Sequence, residues 1–482
     1  MAGNGLRLGM NGFSLCWRPG PKTKGALAVV MLALTLGGAW RLGPRVWQHV
    51  EPAHGHPLLP PWPWQQPRIS PAASAAFVSA LSPGWRATNL GNPAASHYSA
   101  CWQSLPRTPW GLALSDGSLY VGLGNASNSG PSANAGPVPL LAYNLNDQRW
   151  QQHATLPEEE IQRFVKQGTD LWIPGADPRG SWRWGNLYRQ NNVDGSWWQE
   201  RRLPQFIHVH DLAWHRKQLV VAGNVPDAVN TGPKHHRHGS ALAHSGDGGK
   251  TWSVHRLQGW RATALLPLQD QLYAVQVLPG PGLRRWLNQS GRLKGFTAVQ
   301  QWQGDGGWLP RPDLSASALL PAVAGAGERS AWIERATSNG KAVAWIASLG
   351  PWGGERLRRA AFLAQSLRPG AVVVQPVALR TREEAMDWQI DADGGWYLLS
   401  SEKLGSARWR NRISQVHVSP ANTLHSNTVL SFEAPLPAWS LEGDQKRWFV
   451  GLGHPPFEAE PAPGRCPAGV HHSGTVLQVL RQ

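Results

Sequence analysis

Two imidazoles and a carboxylate stand together in His208-Val-His210-Asp211, and His215, His235, His236, His238 and His244 follow close behind. Histidines at i and i+2 share one face of a strand, a spacing suited to metal ligation or proton transfer. A metal site needs a complete ligand set, and no Cys or carboxylate completes one here. Lys234-His-His-Arg-His reads as a polar loop, so neither a metal nor a cofactor is expected. His210 with Asp387 is the one acid/base pair the sequence offers for catalysis. Trp110 and Trp439 supply stacking faces, and Gln162 and Thr263 supply hydrogen-bonding groups, a combination that suits a sugar, a peptide or a flat ring. Arg179, Trp182 and Trp184, in Asp177-Pro-Arg-Gly-Ser-Trp-Arg-Trp, are the residue types favoured at protein contacts and read as a partner-binding loop.

These residues are positioned by a repeat. A short apolar strand recurs as Leu119-Tyr-Val-Gly-Leu-Gly, Leu171-Trp-Ile-Pro-Gly-Ala, Leu219-Val-Val-Ala-Gly-Asn, Leu272-Tyr-Ala-Val-Gln-Val, Ala331-Trp-Ile-Glu, Trp396-Tyr-Leu-Leu-Ser-Ser and Trp448-Phe-Val-Gly-Leu-Gly, at spacings of 52, 48, 53, 59, 65 and 52 residues. An apolar strand and a polar turn precede each copy, the hairpin signature. A third strand follows, and several copies then turn through an acid, glycine and tryptophan into a fourth. Four antiparallel strands in about 50 residues make a propeller blade, so the chain reads as an all-β, seven-bladed β-propeller. Helical solenoids of similar period do not fit. Counting nine residues back from each recurring strand reaches the channel mouth at Trp110, Gln162, His210, Thr263, Asp387 and Trp439, with Asp211 beside His210. The tetrad Ala-Leu-Leu-Pro, at 264 and again at 318, assigns Ser317 to the same ring in blade five.

The chain ends just after a third strand, so the last blade needs an outer strand from elsewhere. Cys101-Trp-Gln-Ser-Leu-Pro-Arg matches the fourth strand Trp198-Gln-Glu-Arg-Arg-Leu-Pro, which nominates residues 99–106 as that strand. Such pairing removes an exposed edge and brings Cys101 toward Cys466, for which a disulfide is expected. Cys16 lies before the apolar N-terminal run, leaving these two as the pair on its far side.

The segment Ser245-Gly-Asp247-Gly-Gly249-Lys-Thr251-Trp252 fits the pattern S-x-D-x-G-x-T-W in full. The chain thereby resembles the Asp-box, or BNR-repeat, β-propellers, a group that includes sialidases, sortilin-type receptors and photosystem assembly factors. Degenerate copies stand at Asp147, Asp194, Asp305 and Asp393. The resemblance implies a structural turn between third and fourth strands, with the Asp carboxylate accepting backbone N–H bonds and the Trp wedged into the blade. It does not fix function. The arginine triad, tyrosine nucleophile and F/Y-R-I-P motif of sialidases have no counterpart; Pro67-Arg-Ile-Ser comes nearest and sits in a spacer.

Ahead of the repeats, Gly25–Trp40 is an uncharged apolar run, with four basic residues before it and two after it. That pattern reads as a signal-anchor or signal peptide at 25–43 with residues 1–24 cytoplasmic. Residues 44–98, which hold ten prolines between Pro44 and Pro93, read as a semi-rigid spacer, and 99–482 as the propeller. The whole chain of 482 residues carries +16. Residues 1–50 account for +6 of this, and the remaining +10 is spread over 432 residues without a basic run, which is no nucleic-acid footprint. With 53 Gly and 40 Pro, long helices and coiled coils are excluded. The expectation is a monomeric propeller, anchored in a membrane and facing the periplasm or an equivalent lumen. It would act as a binding or assembly module for a protein or glycan partner. The alternative is a sialidase-like glycosidase or propeller lyase working at the channel mouth.

Overall fold

Seven antiparallel sheets follow one another along the chain in the computed structural model. It describes residues 53–61 and 77–482, apart from 181, 192, 227–237, 292, 305–306, 324–328, 351–357, 420 and 457. The first strands of neighbouring sheets touch one another and so ring a central channel. In blades one to seven they are Gly111–Ser115, Val165–Gln167, His208–His215, Ala262–Leu268, Ser330–Ser338, Glu383–Ile390 and Ala438–Gly443. This is a seven-bladed β-propeller with four-stranded antiparallel blades. Second strands lie between neighbouring blades and are buried on both faces, as in Ser118–Gly122 and Val343–Gly350. The fourth strands of blades one and two alternate buried and more open positions, as in Arg149–Leu156.

The outer strand of blade seven is Trp85–Gly91, paired antiparallel with Val476–Arg481. This corrects the expectation for 99–106. The match to Trp198-Gln-Glu-Arg-Arg-Leu-Pro weighed Trp-Gln and Leu-Pro identities, whereas an edge strand is selected by alternation against the core. Trp85 and Ala87 pack into the cluster built from blades six and seven. Residues 101–106 instead form turns, held by Arg107 through the carbonyls of Cys101 and Val470. The Cys101–Cys466 disulfide, with Cα atoms 5.8 Å apart, therefore joins two loops. Around it, Ser104 and His454 are hydrogen-bonded at 2.9 Å, and the Asn92 amide donates to the Ser473 carbonyl at 2.6 Å. The ring is thus closed twice, by a strand and by a cross-linked latch.

The expected spacer is also revised, because two of its pieces belong to blades. Besides Trp85–Gly91, the strand His54–Pro57 adds to the outer edge of blade two beside Trp197–Pro204. Residues 1–52, including the expected membrane helix at 25–43, lie outside the described residues. Among the described residues no helix is long and apolar enough to cross a membrane.

Blade five departs from the sequence reading. Ala331-Trp-Ile-Glu belongs to its first strand, and its second is Val343–Gly350. Ser317 is exposed on a helical turn, Ala316–Leu319, capped by Ser315, whose side chain accepts the Ala318 N–H. The repeated tetrad is a strand in blade four and a helical turn here, because a serine N-cap precedes the second copy.

The Ser245–Trp252 segment forms the turn from third to fourth strand of blade three. Asp247 accepts the Thr251 N–H at 2.9 Å, the Thr251 hydroxyl at 2.6 Å and the Lys250 N–H at 3.0 Å. Ser245 accepts the Gly249 N–H at 2.7 Å, and the Trp252 indole donates to the Gly249 carbonyl at 3.0 Å. These bonds hold the Asp247 carboxyl well below the usual carboxylate range. Asp147 and Asp194 occupy the same turn in blades one and two, and Asp305 lies outside the described residues. Asp393 does not occupy it: its turn joins the first and second strands of blade six.

Candidate functional site: a channel divided at its waist

The inner strands share a device. In blades three, four, six and seven the pairing with the second strand skips one residue near the start, leaving His210, Thr263, Met386 and Trp439 as bulges. A bulge turns its side chain away from the regular alternation and twists the strand. His210, Thr263 and Trp439 line a cavity of about 350 Å³ at the end where the inner strands begin, together with Trp110 and Gln162. Five of the six residues counted from the repeat therefore converge.

Asp387 does not join them. The turn joining Ile390 to Trp396 holds one residue more than the one joining Trp214 to Leu219, so counting back lands one position past the bulge. Asp387 is the counterpart of Asp211, and both line a second cavity of about 440 Å³ toward the other end of the channel. His210 and Asp387 thus face different compartments and form no acid/base pair.

Arg163 and Arg335 line both cavities and mark the waist between them. Arg163 pairs with Asp211 at 2.9 Å and donates to the Ala336 carbonyl at 2.9 Å. Arg335 pairs with Asp387 at 3.2 Å and donates to the Trp110 carbonyl at 2.5 Å. Each aspartate also bridges blades. Asp211 accepts N–H bonds from Leu212 at 2.8 Å and from Leu265 of the next blade at 2.9 Å. Asp387 does the same with Trp388 at 3.0 Å and Leu441 at 2.9 Å. Burial pushes both carboxyls up, and the guanidinium and amide donors oppose it. In blade seven Glu442 accepts the Leu114 N–H of blade one at 3.1 Å and pairs with Lys166.

The front cavity sets three tryptophans among charged and polar side chains. Trp110 and Trp439 meet edge to face, ring centres 4.8 Å apart, their indole N–H groups donating to the Gly124 and His454 carbonyls. Arg359 lies 4.8 Å over Trp439 and pairs with Glu334 at 3.1 Å. Glu160 enters on a segment held between Leu123–Asn125 and Asp177, with the Asn125 N–H donating to the Glu159 carbonyl at 2.8 Å. Gly124 makes this approach possible: its φ is +106°, and a Cβ there would lie 2.4 Å from the Glu159 carbonyl oxygen. Burial pushes the Glu160 carboxyl up to about 7, although it accepts the Ala126 N–H at 3.0 Å. Burial and the nearby Arg261 push the His210 imidazole down to about 3, and its Nε2–H donates to Asn224 Oδ1 at 2.7 Å.

The sequence reading missed Glu160, Arg163, Arg261, Trp332, Glu334 and Arg335. Glu160 and Arg163 flank the predicted Gln162, so the neighbourhood was marked. Trp332, Glu334 and Arg335 were lost with the blade-five register.

The predicted partner loop is partly committed to the fold. Arg179 donates to the Asn134 carbonyl at 3.1 Å and to that of Gly136, tying blade two to a loop of blade one. Trp184 begins the third strand of blade two, whereas Trp182 is 43% exposed. His208 stacks on His210, ring centres 5.6 Å apart, and donates to the Ala176 carbonyl at 2.7 Å. Among the described residues no group of three His, Cys, Asp or Glu side chains is placed to hold a metal. His235 and His236 lie outside them.

No family model matches the chain, and no curated protein matches it. Among solved structures the chain is similar to Kuenenia stuttgartiensis hydrazine synthase, with a TM-score of 0.41 at 11% identity over 78% of this chain and 96% of that one. It is similar to a hypothetical selenium-binding protein from Sulfolobus tokodaii, with a TM-score of 0.38 at 11% identity over 66% and 76%. It is also similar to BamB from Moraxella catarrhalis, with a TM-score of 0.34 at 9% identity over 77% and 85%.

Proposed function

We propose that this protein is a binding or assembly module, an Asp-box propeller held at a membrane outside the cytoplasm, which takes a protein or glycan partner at the front mouth of its channel. One observation carries the reading. The front cavity sets Trp110, Trp332 and Trp439 among charged and hydrogen-bonding side chains, while the carboxylates at the waist and rear are engaged by arginine, lysine and the next blade's backbone. Aromatic walls with convergent polar groups suit recognition. The glycosidase alternative rests on Asp387 acting with His210, and their separation into two compartments removes its support. The basic–apolar–basic N-terminus supports anchoring, and the Cys101–Cys466 disulfide suits an oxidising compartment.

The test is affinity purification of the detergent-solubilised full-length protein beside a form lacking residues 1–43 and a Trp110→Ala, Trp332→Ala double variant. Mass spectrometry identifies what is retained. A partner held by the first two and lost by the variant is the expected result. Turnover of a glycan panel that depends on Asp387 would overturn the reading.

A further inference from the structure

We propose that the front cavity recognises a ring-bearing organic oxyanion, a carboxylate or phosphate on a flat body, with Arg261 as the bidentate donor and Trp110, Trp332 and Trp439 as walls for the ring. The inference rests on the front cavity being the binding site. Three arginines line this cavity, a fourth, Arg359, lies behind Trp439, and all but one are engaged. Arg163 holds Asp211 and the Ala336 carbonyl, Arg335 holds Asp387 and the Trp110 carbonyl, and Arg359 holds Glu334 beneath Trp439.

Arg261 differs. Its Nε, like that of Arg359, is buried without a hydrogen-bond partner, but among the described residues no carboxylate is within ion-pair distance of its guanidinium. Its guanidinium lies 4.7 Å over the Trp260 ring, which leaves the edge of the planar fork free for two parallel bonds to an oxyanion. The backbone supports the placement, since Arg261 has φ +52°, a conformation costly for a residue with a Cβ and retained where the surrounding structure imposes it.

The groups around Arg261 do not neutralise it. Asp177 is the nearest acid in effect, but burial, with Glu159 and Glu158 adding to it, pushes its carboxyl up to about 8, so it is largely protonated at neutral pH. His210 is neutral, and Glu160 is only partly ionised near pH 7. A desolvated guanidinium with no counter-charge is costly, and a bound oxyanion relieves that cost. The aromatic walls stand around the same space of about 350 Å³, which admits one small ring-bearing molecule.

Isothermal titration of the detergent-solubilised full-length protein with benzoate, phenyl phosphate and neutral benzamide tests the assignment. Both anions are expected to bind at least about tenfold more tightly than benzamide, and the preferred anion tells carboxylate from phosphate. Arg261→Gln is expected to remove that preference without lowering the melting temperature, because the side chain makes no hydrogen bond to lose and an uncompensated charge is removed. Arg261→Lys is expected to keep part of it, since charge survives and the fork does not. Benzoate affinity is expected to fall from about pH 6 to about pH 9 as Glu160 and Asp177 ionise, with Glu158, Glu159, Arg163, His208, His210, Glu334 and Arg335 the other charged or titratable groups nearby. No anion binding, anions binding no better than benzamide, or an unchanged Arg261→Gln variant would each overturn the proposal. Capture of a partner that needs Trp110 and Trp332 but not Arg261 would do so while leaving the binding-module reading in place.

Discussion

The two ends of the channel are built from the same seven strands and use charge in opposite ways. Toward the rear, Asp211 has its carboxylate saturated by two amide N–H groups and a guanidinium, and one of those amides belongs to the following blade. Asp387 repeats the arrangement three blades on. Toward the front, Arg261 has only an aromatic face, and His210 and Asp177 beside it are held in their neutral forms. A propeller cannot close unless adjacent inner strands are tied, and the rear half carries those ties. That leaves the front half free to keep the Arg261 guanidinium without a counter-charge, which is where recognition is expected.

The sharpest test is to remove a tie. Asp211→Ala leaves the partly buried Arg163 without its counter-charge and the buried Leu265 N–H without an acceptor, so a loss of about 3–5 kcal/mol is expected in urea unfolding. Arg261→Gln, at the front, is expected to cost no stability, since it removes a charge without a partner. Equal effects at the two sites would end the comparison.

A comparable loss of about 3–5 kcal/mol is expected for Cys101→Ser with Cys466→Ser, since the cross-link closes a loop spanning 365 residues. Reducing agent should produce the same loss in the wild type and none in the double variant. A change confined to one compartment, read as two unfolding transitions, would show that the halves are less coupled than the shared strands imply.

Acid–base behaviour separates the regions further. Glu160 has a folded value of about 7 against 4.5 as the ordinary one, so the folded state binds more protons than the unfolded chain between these values. Its stabilising contribution is therefore full below about pH 4.5 and is lost as pH rises through about 7, by on the order of 3 kcal/mol. Asp177 extends the loss to about pH 8. Thermal melts across this range should fall with rising pH, and Glu160→Gln, which keeps an acceptor for the Ala126 N–H, should flatten the curve. A wild-type profile that rises instead would reverse the assignment.

The smallest effect is expected at the rim. Asp247→Ala removes the acceptor of a surface turn remote from both cavities, and a fall of about 1–2 °C in melting temperature is expected, with ligand affinity unchanged. A larger drop would mean that the turn supports the channel.

Much of this organisation was legible in the chain. Period-two alternation and recurring hairpins carried the blade number, because every blade must present the same buried and open faces. Trp110, Gln162, His210, Thr263 and Trp439 were reached by counting, since their hairpins have matching turns. Counting failed at Asp387, where one extra turn residue shifted the register by one, and at blade five, where a capped helical turn imitated a strand. One residue is enough to move a strand's side chains to the opposite face.

The sequence by itself determined the repeat, the hydrogen-bonded turn at Ser245–Trp252 and the chemistry carried by each inner strand. All three depend on contacts between residues close in the chain. Tertiary structure decided which distant segment completed blade seven, which arginines the carboxylates engaged, and which one was left over. Those choices depend on where bulges set one blade against the next, and that spacing is fixed only when the ring closes.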